Sequence, residues 1–381
     1  MVFESFGSFL AVGGSLYFML VLWRLLVLQQ GMGSHGQSHS EPLSIMIPVY
    51  GKRTGLYRCL RACCLQATPN DQVIFGLHTG DDSARGLIEN LLEEFPLLDM
   101  VLIINDRRIG SNPKICNLAN MYPAVKHERF VMLDSDVLVP EDFLQRVGEA
   151  MQGARVGAVT CLYQSAPASN LASSLGALFI DEWLLPSMLV DLAWGDMDIC
   201  YGAAIAVQRT AFEDIGGFPV LANSPAEDDL LGELMSRHGY QVKLAQCVVS
   251  TVVSETSIRA LFRHELRWMR SVRYDRPVAH FFSLFTHALL PASGLMWLAG
   301  GGAVASGLIC LIYFLRVSTH FLVRRRLNSR YPAALWMLML REMMSCMVWL
   351  ASFASEEMDW SGQRLLATAG RDMRLVPERK D

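Results

Sequence analysis

Arg129-Phe130-Val131-Met132-Leu133-Asp134-Ser135-Asp136 is the stretch on which the fold turns. A short apolar run ending in two acidic residues two apart reads as a buried strand with oxygen ligands at its carboxyl end. Outward from it, Ser44–Val49, Gln72–Leu77 and Met100–Asn105 read as further strands, each rich in Val, Ile or Phe. Helical patterns near 54–66, 83–94 and 112–124 lie between them. This alternation predicts an α/β domain with a mostly parallel sheet covered on both faces. In such sheets ligands bind beyond the carboxyl ends of the strands. The residues to inspect are therefore Pro48-Val49-Tyr50-Gly51, His78-Thr79-Gly80-Asp81-Asp82, Gly110-Ser111-Asn112-Pro113-Lys114, and Asp134 with Asp136. Carboxylates at two strand ends and a lysine after a third suit a nucleotide with its metal ion.

Composition narrows the class. Of 381 residues 52% are hydrophobic and only 18% charged, against about 25% charged in ordinary soluble domains. More than 200 polar-patterned residues nevertheless lie between the apolar ends, room for a full catalytic core. A net charge of −4 argues against a nucleic-acid partner held by bulk charge. Nine scattered cysteines make no metal-type pair of pairs and read as reduced core thiols on a cytosolic face.

The ends suggest a membrane. Ser5 to Trp23 carry no charge and Arg24 follows, long enough to cross about 30 Å of hydrocarbon. The leader lacks positive charge and a small-residue cleavage site, so an uncleaved anchor is expected, with the middle of the chain in the cytosol. Phe281 to Leu315 is uncharged and interrupted by Pro291 and Gly300-Gly301-Gly302, which predicts two short spans joined near the glycines. A basic loop is expected from Arg316 through Arg324, Arg325, Arg326 and Arg330. Tyr331 to Ala354 carries Arg341 and Glu342 at mid-length, and a re-entrant or interfacial segment with both turned towards the protein is expected.

Three groups of residues could carry chemistry. Asp134 and Asp136 can hold Mg²⁺, which takes one or two carboxylates and completes its shell with phosphates and water. The alternative is a plain turn. Glu227-Asp228-Asp229 opens a helical pattern; three consecutive carboxylates exceed a cap, and their mutual repulsion can raise a pKa into the range of a usable base. From Ser257 to Arg276, Arg259, Arg263, Arg267, Arg270 and Arg273 fall on about a third of a helix circumference. That is a basic helix for an anionic lipid surface, and Arg267 with Trp268 could turn inward to phosphate and acceptor. Glu265 sits on the apolar side without an evident reason.

In order, Asp82, Asp134-Ser135-Asp136, Glu227-Asp228-Asp229 and His264-Glu265-Leu266-Arg267-Trp268 resemble the D1, D2, D3 and (Q/R)xxRW series of ceramide glucosyltransferases and their bacterial relatives. Gly110 to Leu118, Gly216-Gly217-Phe218 and Trp360 to Arg364 add to the likeness. Asp181 to Ser187 and His264 to Arg270 look most similar to the hopanoid-biosynthesis-associated glycosyltransferases. The resemblance covers nearly the whole chain. It implies a GT-A nucleotide-diphosphosugar transferase fold with membrane helices at both ends: an anchor over 1–30, a linker over 31–42, the GT-A domain over 43–256, a basic interfacial helix over 257–277, and membrane segments with a basic tail over 278–381. By the same analogy Asp82 and Lys114 bind the donor, Asp134 and Asp136 hold metal and diphosphate, Asp228 is the general base, and Glu227, His264, Arg267 and Trp268 contact substrates. His264 stands where the family has Gln or Arg, and Thr79 replaces an acidic residue often found before D1.

The expected function is inverting, divalent-cation-dependent (Mg²⁺ or Mn²⁺) transfer of N-acetylglucosamine or glucose. The donor is a UDP-sugar and the acceptor a membrane-lipid hydroxyl, foremost a hopanoid polyol such as bacteriohopanetetrol. The expected setting is a bacterial inner membrane with the catalytic domain facing the cytosol; the bilayer is a partner and nucleic acid is not. Ceramide glucosylation is the alternative. A processive polysaccharide synthase needs more spans than the three or four apolar segments provide. The RW helix argues against a polyprenyl-phosphate sugar transferase, and intact carboxylates at all three sites argue against a non-catalytic sensor. So large a polar domain leaves few spans for a transporter.

Overall fold

The computed structural model describes residues 2–27, 41–167, 170–192, 197–329, 331, 333–360, 363–368 and 372–375. Most of the expected linker, Ser361 and Gly362 of the Trp360–Arg364 stretch, and Arg330, Arg371, Arg379 and Lys380 lie outside the described residues. The chain divides into two compact units. One joins Met1–Gln29, Ser165–Trp194 and Glu255–Met358; the other joins Gln30–Gln164, Gly195–Ser254 and Asp359–Asp381. Residues 165–194 lie inside the expected catalytic stretch and cluster with the apolar helices.

The second unit is built on a sheet. Its strands are β1 (Ser44–Pro48), β2 (Gln72–Leu77), β3 (Asp99–Ile104), β4 (Arg129–Leu133), β5 (Val137–Leu138), β6 (Val156–Pro167), β7 (Ala204–Gln208) and β8 (Gln241–Val253). Among the described residues they form one sheet in the order β3-β2-β1-β4-β7-β6-β8-β5. β3, β2, β1 and β4 are parallel, while β7 pairs antiparallel with β4 and β6. The expected α/β sheet is present. The half that leads into Asp82, Lys114 and Asp134 is parallel throughout; the far half adds antiparallel strands that the alternation did not announce. Period-2 alternation builds the core: Ile45, Ile47, Val73, Phe75 and Val131 enter one buried cluster, Met46, Ile74, Phe130 and Met132 the other. The crossover helices are Leu56–Cys64, Arg85–Glu94 and Pro113–Met121. A second sheet, in the order β11-β10-β9, is formed by β9 (Glu357–Trp360), β10 (Gln363–Thr368) and β11 (Asp372–Leu375). Part of the expected basic tail is thus strand.

The first unit is helical. Val2–Val27 spans 26 residues, roughly 39 Å at about 1.5 Å per residue. Gly7, Gly13 and Gly14 let it approach the helices near Phe285 and Ala292; a Cβ on Gly13 would meet the Phe285 ring at 2.3 Å. Leu289–Leu298 and Ala303–Leu327 meet at Gly300, Gly301 and Gly302, all at positive φ, where two segments were expected to join. The expected basic loop at Arg316 is absent. The helix runs on through Arg316, Arg324, Arg325 and Arg326 to Leu327, because Arg316 is buried against the Glu182 and Glu342 carboxylates and has no need of water. Leu335–Ser352 turns Arg341 and Glu342 into the protein, as expected. Among the described residues four helices are long and apolar enough to cross a membrane, or five if the pair Pro277–His287 and Leu289–Leu298, bent by 67°, is one span. Leu171–Asp191 is one of the four; the sequence reading passed over it because Asp181 and Glu182 interrupt its apolar pattern.

Candidate active site

The parallel strands lead at their carboxyl ends into Asp82, the Lys114 helix and Asp134, while the Glu227 helix comes after the antiparallel β7. After β4 the chain turns at Asp134, whose backbone N–H donates to the Ala203 carbonyl at 3.1 Å. Helix Pro113–Met121 begins with Asn112 as its cap, the side-chain oxygen accepting from the Ile115 N–H at 3.1 Å, and with proline in its first turn. This start places Lys114 at the strand edge. Helix Glu227–Arg237 opens with three acidic residues where its dipole favours them.

Lys114 is the centre. Its Nζ lies 2.8 Å from Asp134 Oδ1 and 3.2 Å from Glu227 Oε1, and donates to the Gly202 carbonyl at 3.2 Å. Burial opposes its charge, but the Asp134 and Glu227 carboxylates outweigh that and hold its pKa above the ordinary lysine value. One ammonium cannot neutralise the whole cluster. Burial, offset in part by Lys114 and reinforced by Asp136, pushes Asp134 up to about 6. Burial and the neighbouring Glu227 push Asp228 up to about 7, with Lys114 opposing. The Tyr163 hydroxyl is raised by burial and then by Asp228, Asp134 and Asp136. Gly202 packs against Asp228, where a Cβ would come within 2.8 Å of Oδ2.

The structure thus gathers Lys114, Asp134, Glu227 and Asp228, with Asp136 close enough to raise Asp134. Asp82 lies at the end of β2, and its carboxylate accepts from the N–H groups of Gly51 at 3.0 and 3.1 Å and of Ala84 at 2.8 Å. It therefore also pins the loop after β1. His264, Arg267 and Trp268 belong to the helical unit, on helix Ile258–Asp275. There His264 Nδ1 meets Glu255, its ring lies 4.5 Å from that of Trp268, and Trp268 lies 5.9 Å from Phe179. Arg259 and Arg263 are exposed, whereas Arg267, Arg270 and Arg273 are half-buried. Glu265 finds its reason in Arg341, which donates to both its oxygens at 2.6 and 2.7 Å.

Sequence reading gave no role to three contributors, of which Asn112 alone stood in a stretch marked for inspection. Asn112 Nδ2 donates to Glu227 Oε2 at 3.1 Å and to the Ser224 carbonyl at 3.0 Å; the Asn-Pro pair before a helix was the available signal. Gly202 and Tyr163 gave none, because tertiary contacts alone bring them to the site.

Among the described residues no three His, Cys, Asp or Glu side chains converge in metal-binding geometry. Asp134 and Asp136 offer a two-carboxylate set that fits a hard divalent cation completing its shell with diphosphate and water.

Comparison with known proteins agrees with this architecture. The chain is 22% identical over 232 residues to ceramide glucosyltransferase 3 of Caenorhabditis elegans, covering 60% of this chain and 50% of that one. It is 28% identical over 132 residues to the ceramide glucosyltransferase of Gibberella zeae, covering 32% and 25%. The chain spans about half the length of the first of these and a quarter of the second. In three dimensions it is similar to a mannosyltransferase from Pyrobaculum calidifontis, solved with GDP-Man and Mn2+. The TM-score is 0.55 at 16% identity, over 91% of this chain and 98% of that one, a likeness of GT-A-like fold. The glycosyl transferase family 21 model matches residues 8–373, nearly the full sequence, and the chain belongs to that family.

Proposed function

We propose that this protein transfers a sugar, N-acetylglucosamine or glucose, from its UDP-sugar to a hydroxyl of a membrane lipid with inversion. The observation that carries the reading is the cluster in which Lys114 bridges Asp134 and Glu227 beside Asp228. In the proposed reaction Asp228 removes the acceptor hydroxyl's proton as that oxygen bonds to the anomeric carbon, and the bond from carbon to the diphosphate oxygen breaks with its electron pair. A carboxylate raised to about 7 is matched to that task near neutral pH. A divalent cation held by Asp134 and Asp136 would neutralise charge on the departing diphosphate. Lys114 aligns the cluster, and Asp82 keeps the nucleoside side of the cleft in shape. Arg267 and Trp268 serve the diphosphate and the acceptor from the basic helix.

A hopanoid polyol is the proposed acceptor, supported by the Asp181–Ser187 and His264–Arg270 stretches. Ceramide is a second reading, favoured by the relatives' own activity. We place the protein in a bacterial inner membrane with the sheet unit in the cytosol, where the soluble donor arrives and the lipid stays in the bilayer. Membranes carrying the protein, given labelled UDP-glucose or UDP-N-acetylglucosamine with bacteriohopanetetrol or ceramide, with and without chelator, test the proposal. Chelator-sensitive labelling of one lipid is expected. Intact protein that labels no lipid from either donor sinks it.

A further inference from the structure

The last described strand reaches the site from outside the order of the main sheet. β11 is an edge strand, with Met373 opposite Ala367 of β10. Both main-chain groups of Met373 are used elsewhere. Its N–H donates to the Asn223 carbonyl at 2.7 Å, and its carbonyl accepts from the Ser111 hydroxyl at 2.8 Å. The Met373 side chain is buried.

Ser111 and Asn223 are already joined to each other. The Ser111 N–H donates to Asn223 Oδ1 at 3.0 Å. One residue further on each side, the Asn112 N–H donates to the Ala222 carbonyl at 2.9 Å, and Gly110 lies so close that a Cβ there would meet the Ala222 oxygen at 2.4 Å. This seam runs between the loop that starts the Lys114 helix and the loop that leads into Glu227 and Asp228. The two loops are more than a hundred residues apart in the chain, so only such contacts fix one against the other.

We propose that β11 is a positioning element for the transfer reaction: by closing the seam at Ser111 and Asn223 it holds Lys114 in register with Glu227 and Asp228. The proposal rests on the transferase reading for its effect on rate. Its mechanical half, that β11 restrains the loop before Asp228, stands on the hydrogen bonds alone. Reacting groups displaced by about 1 Å can lose about a hundredfold in rate, so a strand that touches no substrate can still govern turnover.

The test uses the full chain in membranes or detergent. Met373→Pro deletes the N–H that Asn223 accepts from, and proline is tolerated at a strand edge. Ser111→Ala deletes only the hydroxyl, and Ser111→Thr keeps it. Turnover, KM for the acceptor and amide hydrogen exchange are measured for each. We expect kcat to fall about tenfold or more in the first two variants with acceptor KM within about twofold. Exchange in 222–229 should quicken about tenfold while β1 and β2 keep the wild-type rate, and Ser111→Thr should recover most of the loss. Unchanged exchange in 222–229 overturns the proposal, as does exchange that quickens equally in β1 and β2 in both variants. Selective quickening with unchanged kcat overturns the link to catalysis. If the unmutated protein labels no lipid, the transferase reading has failed, and exchange still decides whether β11 restrains the loop.

Discussion

Two clusters of charge, one in each unit, use the same residue types for opposite ends. In the helical unit the buried glutamates Glu265, Glu182 and Glu342 each meet an arginine, the last two sharing Arg316. Glu265 is gripped by both arms of Arg341; Glu182 accepts from Arg316 and His320, and Glu342 from Arg316 at 2.7 Å. A π-helical turn at Ile180–Leu184 lets Asp181, Glu182 and Trp183 all find partners within the unit. In the sheet unit one ammonium serves Asp134 and Glu227 with Asp228 beside them, and burial, reinforced by neighbouring carboxylates, raises Asp134 and Asp228. A network in which each glutamate meets an arginine holds helices together; one with a single ammonium among several carboxylates is ready for a proton and a cation. The difference is stoichiometric.

The sharpest way to break the contrast is Asp228→Asn. Turnover should fall by about a thousandfold, within the usual range for a lost general base. The folded protein should be no less stable at pH 8, since a costly buried charge disappears; thermal unfolding beside the lipid-labelling assay checks both. A parallel loss of stability would mean that Asp228 is structural.

Next come the two cations. Arg341→Leu strands Glu265 and should cost about 3–5 kcal/mol, whereas the double change Glu265→Leu with Arg341→Leu should return most of it. Lys114→Met should destabilise by a similar amount and also abolish transfer, with no such rescue of activity by Glu227→Gln. If the helical pair also failed to recover in the double variant, the two clusters would not differ in kind.

The pH dependence sharpens the comparison further. With Asp228 near 7, the base is lost by protonation, so kcat/KM should fall about tenfold per unit as pH drops well below 7. Stability should move the other way. An ordinary aspartate titrates near about 3.9, so between about pH 4 and 7 the folded state binds the proton more tightly than the unfolded chain. Stability therefore declines as pH rises through that window and levels off above it. Denaturant titrations from pH 5 to 8 should show this slope reduced in Asp228→Asn. The smallest effect is expected of Gly202→Ala, whose methyl must displace Asp228 Oδ2; turnover should drop about tenfold with little change in donor KM.

Much of this was legible in the chain. The four parallel strands lie within a residue of their expected bounds, because each is a compact Val-, Ile- or Phe-rich run closed by turn residues. Lys114, Asp134, Glu227 and Asp228 stood out because strand ends and helix starts mark their own positions. Arg316 was misread, since a charged residue after an apolar run looks like the end of a helix until its distant counter-charges are known. Leu171–Asp191 was hidden for the same reason.

The sequence by itself determined the α/β pattern, the apolar helices and the residue types of the site, all of which depend on spacing along one segment. Only the tertiary structure decided which carboxylates share a cation and which own one, why Glu265 is buried, and that Met373 reaches Ser111 and Asn223. Those are pairings between segments up to 262 residues apart. Local periodicity says nothing about them, because desolvated charges and edge hydrogen bonds are satisfied by whichever partner the fold brings near.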